Sequence, residues 1–138
     1  MARLQGRTAI VTGGAKGIGR HYSQALAAEG AQVMIADIRD GSAVAEEIAA
    51  KYGRNSTASM QFDVSQEDQC KAVVAKTLER FGRLDILVNN AQTLSLPVPL
   101  AEQDDELLEG IIQSGLFGTL YFMQSAYPAL AKQGGAVI

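Results

Sequence analysis

The chain has a single cysteine, Cys70, a single histidine, His21, three prolines and no tryptophan in 138 residues. One thiol excludes an internal disulfide framework and fits a reducing compartment, so a cytoplasmic setting is expected. No His/Cys grouping has metal-ligand spacing, and no metal site is expected. No apolar run reaches the length that spans a bilayer, and the amino terminus lacks the apolar stretch of a secretion signal, so no membrane association is expected. Basic residues are absent between Arg83 and Lys132, where six acids lie. With a net charge of −3 and no basic stripe, nucleic acid is not expected as a partner. There is no Gly-x-Ser-x-Gly for a serine nucleophile. What remains is 47% hydrophobic and 20% charged, the balance of one packed globular domain.

Glycine is plentiful, and its placement is regular. Four helical patterns run into Gly30, Gly53, Gly82 and Gly134-Gly135, the usual helix stop. Short apolar runs lie at Thr8–Val11, Gln32–Ala36, Met60–Val64, Leu84–Val88 and Ala136–Ile138. Runs of this length and composition predict strands of a parallel sheet buried on both faces. The first four recur about every 25 residues with a helix-length segment between them, the βαβ signal. Beyond the fourth strand come a loop over 92–101 containing Pro97 and Pro99, an acidic helix over about 102–112, and a longer helix over about 114–132. Pro128 is expected to kink the last turn of that helix. The long helix is apolar nearly all round, so it needs a second cover besides the sheet: a partner subunit or further chain. The acids Glu102, Asp104, Asp105, Glu106 and Glu109 read as a solvated helix start favoured by the helix dipole. Cys70 falls on an apolar helix face and reads as core.

Residues 8–20 carry the chemistry. A strand feeds a Gly-x-x-x-Gly-x-Gly turn (Gly13, Gly17, Gly19) that opens a helix. Such a turn brings a pyrophosphate against free N–H groups at a helix amino terminus, and side chains at the glycines would block the approach. A tight turn without a ligand is the plain alternative. A P-loop is excluded, because Gly19 is followed by Arg20-His21 rather than by Lys and a hydroxyl residue. Asp37 ends the second strand, 18 residues past Gly19. An acid there accepts hydrogen bonds from ribose hydroxyls and repels a 2′-phosphate. The reading therefore favours NAD over NADP, although Lys16 places a base inside the turn. A strand-end cap is the other role open to Asp37. Asp63, Asn89 and Asn90 also fall at carboxyl ends of strands, the ligand edge of open α/β sheets.

Thr12-Gly13-Gly14-Ala15-Lys16-Gly17-Ile18-Gly19, Asp37, Asp63-Val64 and Asn89-Asn90-Ala91 together resemble the short-chain dehydrogenase/reductase family, in order and along the whole chain. The resemblance implies a Rossmann-type sheet in the order 3-2-1-4-5, incomplete at the carboxyl end. It implies that 1–138 is one NAD(P)-binding domain, a fragment equal to about the first half of a family member. Gly13, Lys16, Gly17, Ile18 and Gly19 would serve the pyrophosphate and Asp37 the ribose. Asp63 and Val64 would serve the adenine, and Asn89, Asn90 and Ala91 the region behind the cofactor. The implied reaction is hydride transfer between a nicotinamide and a small-molecule alcohol or carbonyl, and the implied assembly is a homo-oligomer through helix 114–132. Two positions depart from the family: Gln92 stands where it has Gly, and Gly115 where it has an Asn that supports a proton relay. The family's catalytic Ser and Tyr-x-x-x-Lys have no counterpart in these residues, so no catalytic residue is assigned. The 138 residues alone are expected not to turn over. A non-catalytic dinucleotide-binding module is the second reading, and an S-adenosylmethionine methyltransferase a distant third.

Overall fold

The computed structural model describes residues 2–94 and 97–138. Five parallel strands, β1 (Thr8–Thr12), β2 (Gln32–Asp37), β3 (Thr57–Gln61), β4 (Ile86–Val88) and β5 (Ala136–Val137), form one sheet in the order β3-β2-β1-β4-β5. Helices α1 (Gly17–Ala28), α2 (Ser42–Tyr52), α3 (Glu67–Phe81), α4 (Asp105–Ile111) and α5 (Gly118–Gln133) make the crossovers. This is the α/β architecture and strand order expected for a Rossmann-type fold.

The period-two pattern of the central strands divides the core in two. Ile10, Met34, Ala36 and Leu87 face α3 and α5, where they meet Val73, Val74, Phe122, Ala126 and Leu130. Val11, Val33, Ile35 and Val88 face the other way, against Ala27, Val44 and Ile48 of α1 and α2. Alternate side chains of one strand point to opposite faces, so a strand covered on both sides is apolar at every position. Phe62 and Phe122 meet edge to face at 5.3 Å, closing the α5 side.

Several boundaries differ from the sequence expectation. The third strand is Thr57–Gln61, not Met60–Val64, because it takes its register from β2, with Val33 opposite Thr57 and Asp37 opposite Gln61. Asp63 thus lies two residues past the strand. The fourth strand is shorter than Leu84–Val88, beginning at Ile86. The acidic helix starts at Asp105, with Asp104 as its cap: Leu107 N–H donates to Asp104 Oδ1 at 2.7 Å. It does not end before the long helix. A π-helical turn, Ile112–Phe117, joins α4 to α5 without a break, and α5 continues through Pro128 to Gln133. The fifth strand pairs with β4, yet its two residues are exposed rather than buried on both faces. Of the loop over 92–101, Ser95 and Leu96 lie outside the described residues.

α5 turns Phe122, Ala126 and Leu130 inward and leaves Leu120, Met123 and Tyr127 exposed, Tyr127 at 70%, in line with the exposed Leu116 of the π-turn before it. Among the described residues no helix is long and apolar enough to cross a membrane. No group of three or more His, Cys, Asp or Glu among them could hold a metal ion.

Cys70 is wholly buried on α3, with its thiol donating to Val64 O at 3.4 Å. Burial, with Asp63 nearby, pushes the thiol up to about 11. At pH 8 only about one thiol in a thousand would then be ionised. The native protein is therefore expected to resist iodoacetamide at pH 8 and to alkylate fully once unfolded in urea. Mass spectrometry reads both states, and rapid native labelling would contradict the buried placement.

Candidate functional site

The site starts at the carboxyl end of β1. Gly13 takes a left-handed φ of +66°, which turns the chain sharply off the strand, and its N–H donates to Ala36 O at 2.7 Å. Lys16 is extended, and α1 begins at Gly17. The first helical N–H groups have no acceptor inside the helix and carry its positive dipole end. Gly19 lies against the turn. A Cβ there would stand 2.1 Å from Gly13 O and 2.6 Å from Asn90 Nδ2. Hydrogen at this position is what lets helix, turn and the end of β4 converge.

The end of β4 is stapled to β1. Thr12 Oγ1 accepts from the N–H groups of Asn90 and Ala91, each at 2.9 Å, and donates to Val88 O at 3.2 Å. Asn90 Nδ2 donates back to Thr12 O at 3.0 Å. Threonine at position 12 and Asn90 thus make a two-way clamp under the glycine turn. The motif contained Thr12, but its role depends on a partner 78 residues away and could not be read locally.

Asp37 is almost fully buried at the end of β2. Its carboxylate accepts from Ala15 N–H at 2.9 Å and from Arg39 N–H at 3.0 Å. It therefore does cap the strand end, the alternative role open to it, and it also borders the cleft. Each carboxylate oxygen keeps further accepting capacity. Asp63 Oδ1 is engaged by the N–H (2.9 Å) and hydroxyl (2.7 Å) of Ser65. The loop after β3 then meets the helical layer: Gln113 Nε2 donates to Ser65 O at 3.1 Å, and Gly118 has no side chain to collide with Val64.

These pieces line one cleft of about 790 Å³ along the carboxyl edge of the sheet, within the range of small-molecule sites. Ten of the eleven candidate residues border it: Gly13, Lys16, Gly17, Ile18, Gly19, Asp37, Asp63, Val64, Asn90 and Ala91. Asn89 does not. Its N–H bonds Ile138 O on the β5 side, and its Nδ2 is buried with no partner among the described residues. A strand-end residue next to Asn90 faces the opposite way by the period of two, which the motif alone does not display. The cleft adds residues that sequence reasoning missed, notably Arg39 and Ser114, and Gln92, singled out above as a departure, borders it as well. Arg39, a base two residues past Asp37, was visible as a charge near the ribose position. His21 is exposed on α1 and outside the cleft lining.

Residues 7–138 match the model of the short chain dehydrogenases. The chain belongs to that family. Members of the family bind nicotinamide dinucleotides, and curated relatives are named as dehydrogenases. A 1,6-dihydroxycyclohexa-2,4-diene-1-carboxylate dehydrogenase of Pseudomonas putida is 34% identical, over 99% of this chain and 50% of its own length. A sorbitol dehydrogenase of Cereibacter sphaeroides is 39% identical over 99% and 52%. A 12alpha-hydroxysteroid dehydrogenase of a Clostridium species is 36% identical over 100% and 56%. The chain spans about half the length of the curated relatives it matches.

The two positions noted above as departures, Gln92 and Gly115, lie side by side. A Cβ on Gly115 would stand 3.4 Å from Gln92 Cγ and 3.5 Å from its Nε2. The π-turn that carries Gly115 is tied to the loop carrying Gln92, since Thr93 N–H donates to Ser114 Oγ at 2.9 Å.

Proposed function

We propose that this chain forms the NAD-binding part of a short-chain dehydrogenase that moves hydride between a nicotinamide and the carbon of a small alcohol or carbonyl. The observation that carries the reading is the convergence at Gly19, where any side chain would strike Gly13 and Asn90. That cradle suits a pyrophosphate, which needs close backbone approach and a helix amino terminus. Gly13, Lys16, Gly17, Ile18 and Gly19 would hold the pyrophosphate. Asp37 would take the adenosine ribose, Asp63 and Val64 the adenine, and Asn90 and Ala91 the inner wall. Asn89, off the cleft, would support the wall from the β5 side. Bound nicotinamide supplies the hydride acceptor or donor. The protein supplies its orientation and a fixed wall behind it. The exposed apolar stripe from Leu116 to Tyr127 supports self-association through helix 114–132.

A specific observation favours NADP as the second reading: Lys16 and Arg39 are both exposed on the rim that Asp37 shares. Asp37 weighs more, because its fixed carboxylate would face a 2′-phosphate at short range. Calorimetric titration is expected to give NAD tighter binding than NADP, and no binding of S-adenosylmethionine. Asp37→Ser is expected to lower NAD affinity about tenfold or more, the worth of charge-assisted hydrogen bonds, and to bring NADP level or ahead as the two bases act unopposed. A variant that keeps its NAD preference would remove Asp37 from the ribose.

A further inference from the structure

Gln92 holds a place that nothing in the turn chemistry requires. Its backbone is pinned on both sides: Ala91 N–H bonds Thr12 Oγ1 and Thr93 N–H bonds Ser114 Oγ, each at 2.9 Å. Ser114 is itself anchored, its hydroxyl donating to Gly110 O at 2.7 Å. The stem of Gln92 lies over Gly115, whose missing side chain leaves it that space. Gln92 borders the cleft and is exposed, and its carboxamide has no hydrogen-bond partner among the described residues. An amide with one strong acceptor and two donors, on a backbone fixed at both neighbours and with its stem beside Gly115, is a hydrogen-bonding group placed in advance.

The sheet order says what would meet it. β1 lies between β2 and β4. A ligand with one sugar at Asp37, past β2, and its pyrophosphate on the glycine turn, past β1, must carry its second sugar to the β4 side. Gln92 follows β4. We propose that Gln92 binds the hydroxyls of the second ribose, the one that carries the nicotinamide, and that Gly115 is the complementary vacancy that lets the side chain reach them. This assignment rests on the dinucleotide reading above. Hydroxyls that both donate and accept suit a carboxamide, which does the same. A side chain longer than a methyl at position 115 would occupy the space of the Gln92 stem.

ADP and ADP-ribose differ by the second ribose alone, so they isolate the contact without any turnover. Both would be titrated calorimetrically into the unsubstituted protein, Gln92→Gly and Gly115→Asn. Gln92→Gly is expected to weaken ADP-ribose roughly five- to tenfold, one neutral hydrogen bond or two, and to leave ADP within about twofold. Gly115→Asn, by evicting the Gln92 stem, is expected to produce the same split. Unchanged ADP binding also certifies that each variant is folded. If Gln92→Gly weakens both ligands equally, or neither, the assignment is overturned. If the unsubstituted protein binds no ADP, the dinucleotide reading falls and Gln92 falls with it. Loss of ADP-ribose but not of ADP sustains both.

Discussion

Gly19→Ala is expected to abolish measurable dinucleotide binding, with NAD affinity falling more than about 100-fold, and to destabilise the protein by about 2–3 kcal/mol. The new methyl would stand 2.1 Å from Gly13 O and 2.7 Å from Gly13 C, both backbone atoms of a turn that is fixed from below by Ala36 O. It would also stand 2.6 Å from Asn90 Nδ2, which is engaged with Thr12 O. Neither neighbour is the free end of a flexible chain, so α1 must move off the turn. That movement withdraws the N–H groups from the place where a pyrophosphate would sit. Gly110→Ala is the contrasting change. Nothing lies within 4 Å of its Cβ, and Gly110 is helical in α4. It is expected to stabilise by about 0.5–1 kcal/mol through helix propensity alone. Urea unfolding read by circular dichroism and calorimetric NAD titration check both. A Gly19→Ala protein that binds NAD within about threefold of the parent would remove the convergence argument for the site.

Asp85→Asn is expected to cost about 2 kcal/mol at pH 7 and progressively less below pH 4. Asp85 is buried just before β4, at the sheet edge opposite the cleft. Its oxygens take Thr8 N–H at 2.9 Å, Arg7 Nη1 at 2.7 Å and the forked Arg83 guanidinium at 2.8 and 2.5 Å. Its backbone bonds Thr8 O on one side and Ala136 N–H on the other. One residue thus ties β1, β4 and β5 together. Burial alone would push its carboxyl up. The hydrogen bonds from Arg83, Arg7 and Thr8 outweigh burial and hold it at about 2, against an ordinary 3.8. A carboxyl depressed by folding stabilises fully above its unfolded value and loses that contribution as pH falls through the folded one. The window is therefore from about pH 4 down to about pH 2. The two arginines are partly exposed and can return to water in the variant, so the cost stays below that of broken buried ion pairs. The gap between the urea midpoints of parent and variant should hold from pH 7 to about pH 4 and narrow from there towards pH 2, with NAD affinity at pH 7 within about twofold. A gap that does not change with pH would mean the carboxylate's charge contributes nothing.

The parts legible in the residues are those whose cause is local. Unbroken apolar runs in β1 and β2 mark strands covered on both faces, because successive side chains of a strand point to opposite faces. Gly30, Gly53, Gly82 and Gly134 all take positive φ at helix ends, as their spacing predicted, because few other residues enter that region cheaply. The Gly13–Gly19 turn and Asp37 could be found because a short, spaced group of small residues followed by an acid has few structural uses. Ten of eleven candidate residues share one cleft for the same reason: strand ends in a parallel sheet lie along one edge.

What needed the folded molecule depends on partners far away in the chain. The register of β3 comes from β2, so Met60 to Val64 could look like a strand while pairing starts at Thr57. Asn89 and Asn90 are neighbours in sequence, but only Asn90 borders the cleft, while Asn89 bonds Ile138 O through its N–H and buries its side-chain amide. Nothing in residues 105–133 signals a π-turn, because it inserts without breaking the helical pattern. It is held there by Ser114 bonds to Gly110 and Thr93. Gln92 and Gly115 read separately as two departures; only packing makes them one arrangement. By itself, the sequence determined the class of fold and placed the candidate residues at strand ends, since periodicity and backbone sterics act over a few residues; the strand order came with the family resemblance. Tertiary structure alone decided register, the Thr12–Asn90 clamp, the Asp85 tie and the Gln92–Gly115 pairing, since each is a contact between groups more than 20 residues apart.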